Sequence, residues 1–123
     1  MPKTFDGVIT YDILPDGCLN GVYSNDHPDT KNKICNEIAR KIADDTNDKD
    51  ALAGKYVCVY IDPDNTIGEC TLVIHTRPIK RRNGQYHFEW YNKNNQKIYE
   101  GSGWRIRDNQ ITVSYRDVKP AER

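Results

Sequence analysis

The chain has 123 residues with 18 basic and 18 acidic side chains, so its formal net charge is zero. That length supports one hydrophobic core and one domain, residues 1–123. Balanced charge supplies no global field toward nucleic acid or an anionic membrane, and no apolar run approaches the roughly 20 residues of a membrane helix. Hydrophobic residues make up only 37%, but eight tyrosines, two tryptophans and regular alternation argue against a disordered chain.

The opening Met-Pro-Lys-Thr-Phe-Asp lacks the basic-then-apolar pattern of a signal peptide. A cytoplasmic protein is expected, with a processed, exported form as the alternative. Cys18, Cys35, Cys58 and Cys70 form neither a CxxC pair nor a metal-ligand spacing. Reduced, structural thiols follow, or two disulfides in an exported form.

The first unit reads as a hairpin. Ile9, Tyr11 and Ile13 alternate with polar or smaller residues, and Leu14-Pro15-Asp16-Gly17-Cys18 turns the chain. Proline, Asp and a left-handed Gly describe a type I turn with a G1 bulge. That loop pairs Ile13 with Leu19, Tyr11 with Gly21 and Ile9 with Tyr23. An amphipathic helix is predicted next, over residues 30–43. Asp29 or Thr30 caps it, and Ile34, Ile38 and Ile42 recur every four residues. Cys35 and Ala39 widen that stripe, while Lys31, Lys33, Glu37, Arg40 and Lys41 form the polar face. The acidic run Asp44 to Asp50 reads as a solvated loop.

Strands are predicted at about 54–61, 68–76, 84–91, 97–107 and 110–116. Burial selects the parity in which His75 faces His87, Ile74 faces Phe88 and Leu72 faces Trp90. A two-residue turn at Asp108-Asn109 sets Ile106 opposite Ile111 and Trp104 opposite Val113. Arg105/Thr112 and Arg107/Gln110 fall on the other face.

Unbroken alternation carries this parity into a candidate site. Glu100 and Ser102 then lie among Tyr86, Trp90, Trp104 and Tyr115 on the inner face. A few polar groups in an aromatic concavity suit a small ligand, and burial there raises a carboxyl pKa unless a donor pairs with it. The competing reading is a bulge at Gly101-Ser102-Gly103 that turns Glu100 to solvent.

Other candidates are weaker. His75, His87 and Glu89 share an outer face, but two imidazoles and a carboxylate are ordinary on a polar sheet surface, and no metal or cofactor is expected. Asp62 to Glu69 is rich in oxygens, yet Ile67 stands where a calcium loop needs glycine. The basic loop Arg77, Lys80, Arg81 and Arg82 reads as a solvated connection, with a phosphate or acidic partner as the alternative. No nucleophile motif occurs, so no catalytic residue is assigned.

The string Asp16-Gly17-Cys18-Leu19-Asn20-Gly21-Val22-Tyr23-Ser24 resembles the D-G-x-L-x-G-x-Y hairpin of avidin-type barrels. Gly-x-Tyr starts recur at Gly54 and Gly84, and the Trp-bearing meander is similar to the wider calycin group of lipocalins, fatty-acid-binding proteins and avidins. That resemblance implies a barrel holding a small ligand, with Tyr23 and Ser24 at the avidin-type ligand positions. A helix after the second strand, no lipocalin Gly-x-Trp opening and a strand count nearer seven than eight depart from the pattern.

The expected fold is mainly β, an antiparallel meander forming a barrel or strongly curved sheet with one helix. The alternative is an α+β roll with that helix, through Ile34, Ile38 and Ile42, on the concave face. The expected function is non-enzymatic small-ligand binding through Glu100, Ser102, Tyr86, Trp90, Trp104 and Tyr115. The alternative is a protein–protein assembly module using strand edges or Tyr60, Tyr91 and Tyr99. An enzyme using His75, His87 and Glu89, or the inner carboxylate, ranks third. Neither nucleic acid nor membrane is an expected partner.

Overall fold

The first hairpin forms as its turn chemistry dictates. In the computed structural model, which describes residues 6–27, 31–46, 50–61, 67–76 and 85–118, β1 (Asp6–Ile13) pairs with β2 (Leu19–Asn25). Ile13 faces Leu19, Tyr11 faces Gly21 and Ile9 faces Tyr23. The Leu14 amide donates to the Cys18 carbonyl at 2.8 Å, and Gly17 takes φ of 87°, a conformation that suits glycine.

Six more strands continue the meander: β3 (Cys35–Asp44), β4 (Gly54–Ile61), β5 (Ile67–Thr76), β6 (Gln85–Tyr91), β7 (Lys97–Arg107) and β8 (Gln110–Asp117). Each pairs antiparallel with the next, and β8 closes on β1, so the wall is an eight-stranded barrel. Closure removes every free sheet edge, and with it the assembly route through strand edges. Among the described residues no helix is long and apolar enough to cross a membrane.

The helix predicted over 30–43, and with it the roll, is not formed: Cys35–Asp44 is β3. A spacing of four residues belongs to both periods, one helical turn and two strand repeats, so Ile34, Ile38 and Ile42 share a face either way. In the strand that face is the outer one, and the three are 75%, 51% and 48% exposed. Cys35, Glu37 and Ala39 point inward instead. β-Branched isoleucine suits a strand, and β3 pairs the otherwise open sides of β2 and β4. This segment supplies the eighth strand that the resemblance lacked.

β7 departs from simple alternation at both ends. Trp90 faces Tyr99 but Tyr91 faces Lys97, which leaves Ile98 as an extra residue. Arg107 faces Gln110 but Arg105 faces Ile111, which leaves Ile106 as another. Between these bulges the odd residues face inward: Tyr99, Gly101, Gly103 and Arg105. The pairings Ile106/Ile111 and Trp104/Val113 are therefore replaced by Arg105/Ile111, Trp104/Thr112 and Gly103/Val113. The expected pairings in β5 and β6 (His75/His87, Ile74/Phe88, Leu72/Trp90) do form.

Packing explains why the glycines win the inner face. A side chain on Gly103 would stand 2.6 Å from the Phe88 ring, and one on Gly101 2.4 Å from the Ser114 carbonyl oxygen. Gly103 thus makes room for the Phe88 ring and Gly101 for the close approach of the β8 backbone, in a barrel just wide enough for its own side chains or one small ligand. Tyr11, Tyr56, Leu72, Ile74, Tyr86, Phe88, Trp90 and Val113 form the core, together with Ile9, Leu19 and Ile111.

One end of the barrel is sealed from within. Leu52 and Ala53, in the β3–β4 connection, are buried. Tyr56 donates to the Leu52 carbonyl at 2.7 Å, and Tyr86 donates to Asp50 Oδ2 at 2.7 Å. Arg105 closes the network by donating to the Tyr86 hydroxyl at 3.1 Å. The basic loop Arg77 to Arg82, the Asp62–Thr66 connection and the cap at Asp29 or Thr30 lie outside the described residues.

Candidate functional site

The interior holds a carboxylate, but not the expected one. Glu37 on β3 is only 6% exposed and lies level with Gly21 on β2 and Tyr60 on β4. The Tyr11 hydroxyl donates to its Oε2 through a short hydrogen bond, and the Trp90 indole donates to the same oxygen at 3.3 Å from across the barrel. The Cys58 thiol is a third, weaker donor. Burial pushes the Glu37 pKa up against the lowering effect of these donors. Burial and the neighbouring Glu37 charge push Tyr11 well up in turn. The three neutral donors hold the carboxylate without neutralising it, and among the described residues no ion pair reaches it.

Tyrosines line the half of the interior on the side of Glu37 away from the sealed end. Tyr23, Tyr60 and Tyr99 are partly buried against the core, and Tyr115 is buried. The ring centroids of Tyr99 and Tyr115 are 5.7 Å apart at right angles, and Trp90 is 5.7 Å from Tyr115. Two inward glycines set ring positions here. A side chain on Gly68 would stand 1.9 Å from the Tyr60 ring, and one on Gly7 2.4 Å from that of Tyr115. The Tyr115 hydroxyl accepts from Asn25 Nδ2 at 3.0 Å, which fixes that ring further.

The six residues expected to form one pocket are split by the barrel wall. Tyr86, Trp90 and Tyr115 face inward, Tyr86 toward the sealed end and the other two toward Glu37. Glu100, Ser102 and Trp104 face outward because the bulge at Ile98 shifts β7 by one residue, and Trp104 is 42% exposed. Glu100 is turned to solvent by this bulge and not by one at Gly101-Ser102-Gly103. It pairs with Arg116 at 2.9 Å and Lys97 at 3.2 Å, which hold its carboxyl below the usual range.

Glu100 and Ser102 instead help line a cleft of about 240 Å³ on the outer surface, with Asp6, His87, Ser114 and Arg116. His87 Nδ1 is buried there without a hydrogen-bond partner among the described residues. Beside it Glu89 accepts from His75 Nε2 and Lys97 Nζ, both at 3.1 Å. Burial pushes Glu89 up, and Lys97, His75 and His87 outweigh it, leaving its pKa lowered. Among the described residues no group of three or more His, Cys, Asp or Glu side chains is arranged to hold a metal ion. Cys35, Cys58 and Cys70 are buried and Cys18 half-buried, all as free thiols.

Sequence reasoning missed Glu37 because the helical reading set it on a solvated face. Reading residues 35–39 at period two puts Cys35, Glu37 and Ala39 together on the face that carries Leu19, Gly21 and Tyr23 on β2. That was the available signal. Comparison with protein-family models, curated proteins and solved structures found no match to this chain.

Proposed function

We propose that this barrel is a non-enzymatic small-ligand-binding domain whose site is the tyrosine-lined half of its interior, with Glu37 as the polar anchor. Trp90 and Tyr115 keep the roles expected of them in this reading, and Glu37 takes the role expected of Glu100. The carrying observation is a carboxylate buried in a barrel interior with, among the described residues, only neutral donors. Burial of such a group works against stability, which a ligand site would explain. One half packed by its own loop and the other lined by amphipathic rings supports a site in the second half.

Thermal-shift screening against metabolites of mixed polarity tests the reading. A true ligand stabilises the wild type and the outer-face control Trp104→Ala, and stabilises Glu37→Gln less. A blank screen across the collection sinks it. A second reading, an assembly module, has its own support in the outer face of β2 to β5, where Val22, Ile38, Ile61 and Ile67 are exposed. Sedimentation over a hundredfold range of concentration tests that alternative, and an unchanging monomer would count against self-assembly.

A further inference from the structure

We propose that the ligand is a compact organic cation, with its ammonium group at Glu37 and its body along Tyr60, Tyr99 and Tyr115. The inference rests on the interior site proposed above and narrows it to one chemistry.

Charge is the first argument. Tyr11 and Trp90 both donate to Oε2 of Glu37, and among the described residues the further donor is a thiol. Neutral donors leave the charge itself unbalanced. An opposite charge brought into this low-dielectric interior would therefore gain more than it would at the surface. An anionic ligand would meet the same carboxylate as repulsion.

The rings supply the second argument. Gly68 and Gly7 leave the space that Tyr60 and Tyr115 occupy, so each ring packs along the wall. Tyr99 and Trp90 stand edge-on to each other, with ring centroids 6.4 Å apart. Aromatic faces carry negative quadrupole and attract cations, most strongly where water is excluded. Carboxylate and ring faces therefore select the same sign of charge.

Depth is the third. Glu37 is the first inward residue after Cys35, which begins β3 and is itself buried, so it lies two residues, roughly 7 Å, inside the start of the strand. A ligand reaching it is compact: an ammonium group on a short aliphatic or single-ring body.

Four probes separate the possibilities: phenethylamine, choline, 2-phenylethanol and phenylacetate. Binding is followed by calorimetry and by Trp90 emission in a Trp104→Phe chain, which leaves Trp90 as the single tryptophan. Phenethylamine should bind at least about tenfold more tightly than 2-phenylethanol, and phenylacetate should show no saturable binding. Glu37→Gln should bring phenethylamine down to the level of 2-phenylethanol without weakening the alcohol. Glu37→Asp, which retracts the charge by one methylene, should reduce the same preference if the glutamine variant does not fold. Wild-type selectivity alone decides the sign. Equal or tighter binding of 2-phenylethanol or phenylacetate overturns the cation and leaves the ligand-binding reading standing. Failure of all four to bind also overturns the cation, whereas the wider reading falls only with a blank metabolite screen.

Discussion

At one end of the barrel Leu52 and Ala53 tuck beneath the strands, and Tyr86, Asp50 and Arg105 knit across them; at the other, tyrosines line the wall beside a buried carboxylate. Both ends spend large aromatic side chains. At the sealed end the hydroxyls close on the chain's own groups, Tyr56 on Leu52 and Tyr86 on Asp50. In the other half a carboxylate is buried with no cation beside it among the described residues. Stability is concentrated in the first arrangement, and the second gives some of it up.

The sharpest way to break that contrast is to empty each half in turn. Leu52→Ala removes a fully packed side chain from the seal and should cost about 2–5 kcal/mol in urea unfolding. Tyr99→Ala removes a larger but only partly buried side chain, and should cost less than Leu52→Ala despite deleting more atoms. An equal or larger loss at Tyr99 would show that both halves carry the fold alike.

How much of this was legible depended on whether local chemistry set the register. Pro15, Asp16 and Gly17 dictate a turn, so the β1–β2 pairing could be read residue by residue. Burial of Leu72, Ile74, Phe88 and Trp90 chose the β5–β6 parity in the same way. β3 was misread because a four-residue isoleucine repeat satisfies helix and strand together, and only closure of the barrel separates them. β7 was misread because bulges at Ile98 and Ile106 carry no glycine or turn signature. Their cause is nonlocal: the Phe88 ring on β6 needs the space above Gly103, and the β8 backbone the space above Gly101. The chemistry of the site, a carboxylate among aromatics in a barrel, was legible. Its address was not, because one misread strand hid Glu37 and one shifted strand promoted Glu100.

A smaller effect separates the interior carboxylate from the exterior ones. Burial raises the Glu37 pKa above its unfolded value near 4.5. The folded chain thus holds that proton to higher pH than the unfolded chain. The contribution is complete below about pH 4.5 and is lost as pH climbs through the folded pKa. Glu37→Gln keeps an acceptor for Tyr11 and removes the charge. It should match the wild type in acid and exceed it by about 1–3 kcal/mol once the wild-type carboxyl ionises. Urea titrations between about pH 4 and 9 read the crossing directly. A uniform loss in the variant at every pH would instead mark Glu37 as a net stabiliser of the fold.

The outer face should respond with the opposite sign and the least amplitude. β6 and β7 set Glu89 directly opposite Glu100, an arrangement of like charges that is unfavourable by itself. Lys97 lies between them at 3.1 and 3.2 Å and makes the pairing tolerable. Arg116 and then Lys97 lower the Glu100 pKa, and Lys97 with His75 and His87 lowers that of Glu89 against burial, so their contribution is present above the unfolded value and is lost as pH falls through the folded one. Lys97→Met should therefore destabilise at neutral pH by no more than about 1 kcal/mol, since solvent screens a half-exposed cluster. The loss should shrink in about 1 M salt and vanish in acid once both carboxyls are protonated. If it survives high salt and low pH unchanged, the lysine acts through the packing of its stem on the sheet. The contrast would then be one of filling alone, without the opposed charge responses of the inner and outer carboxylates.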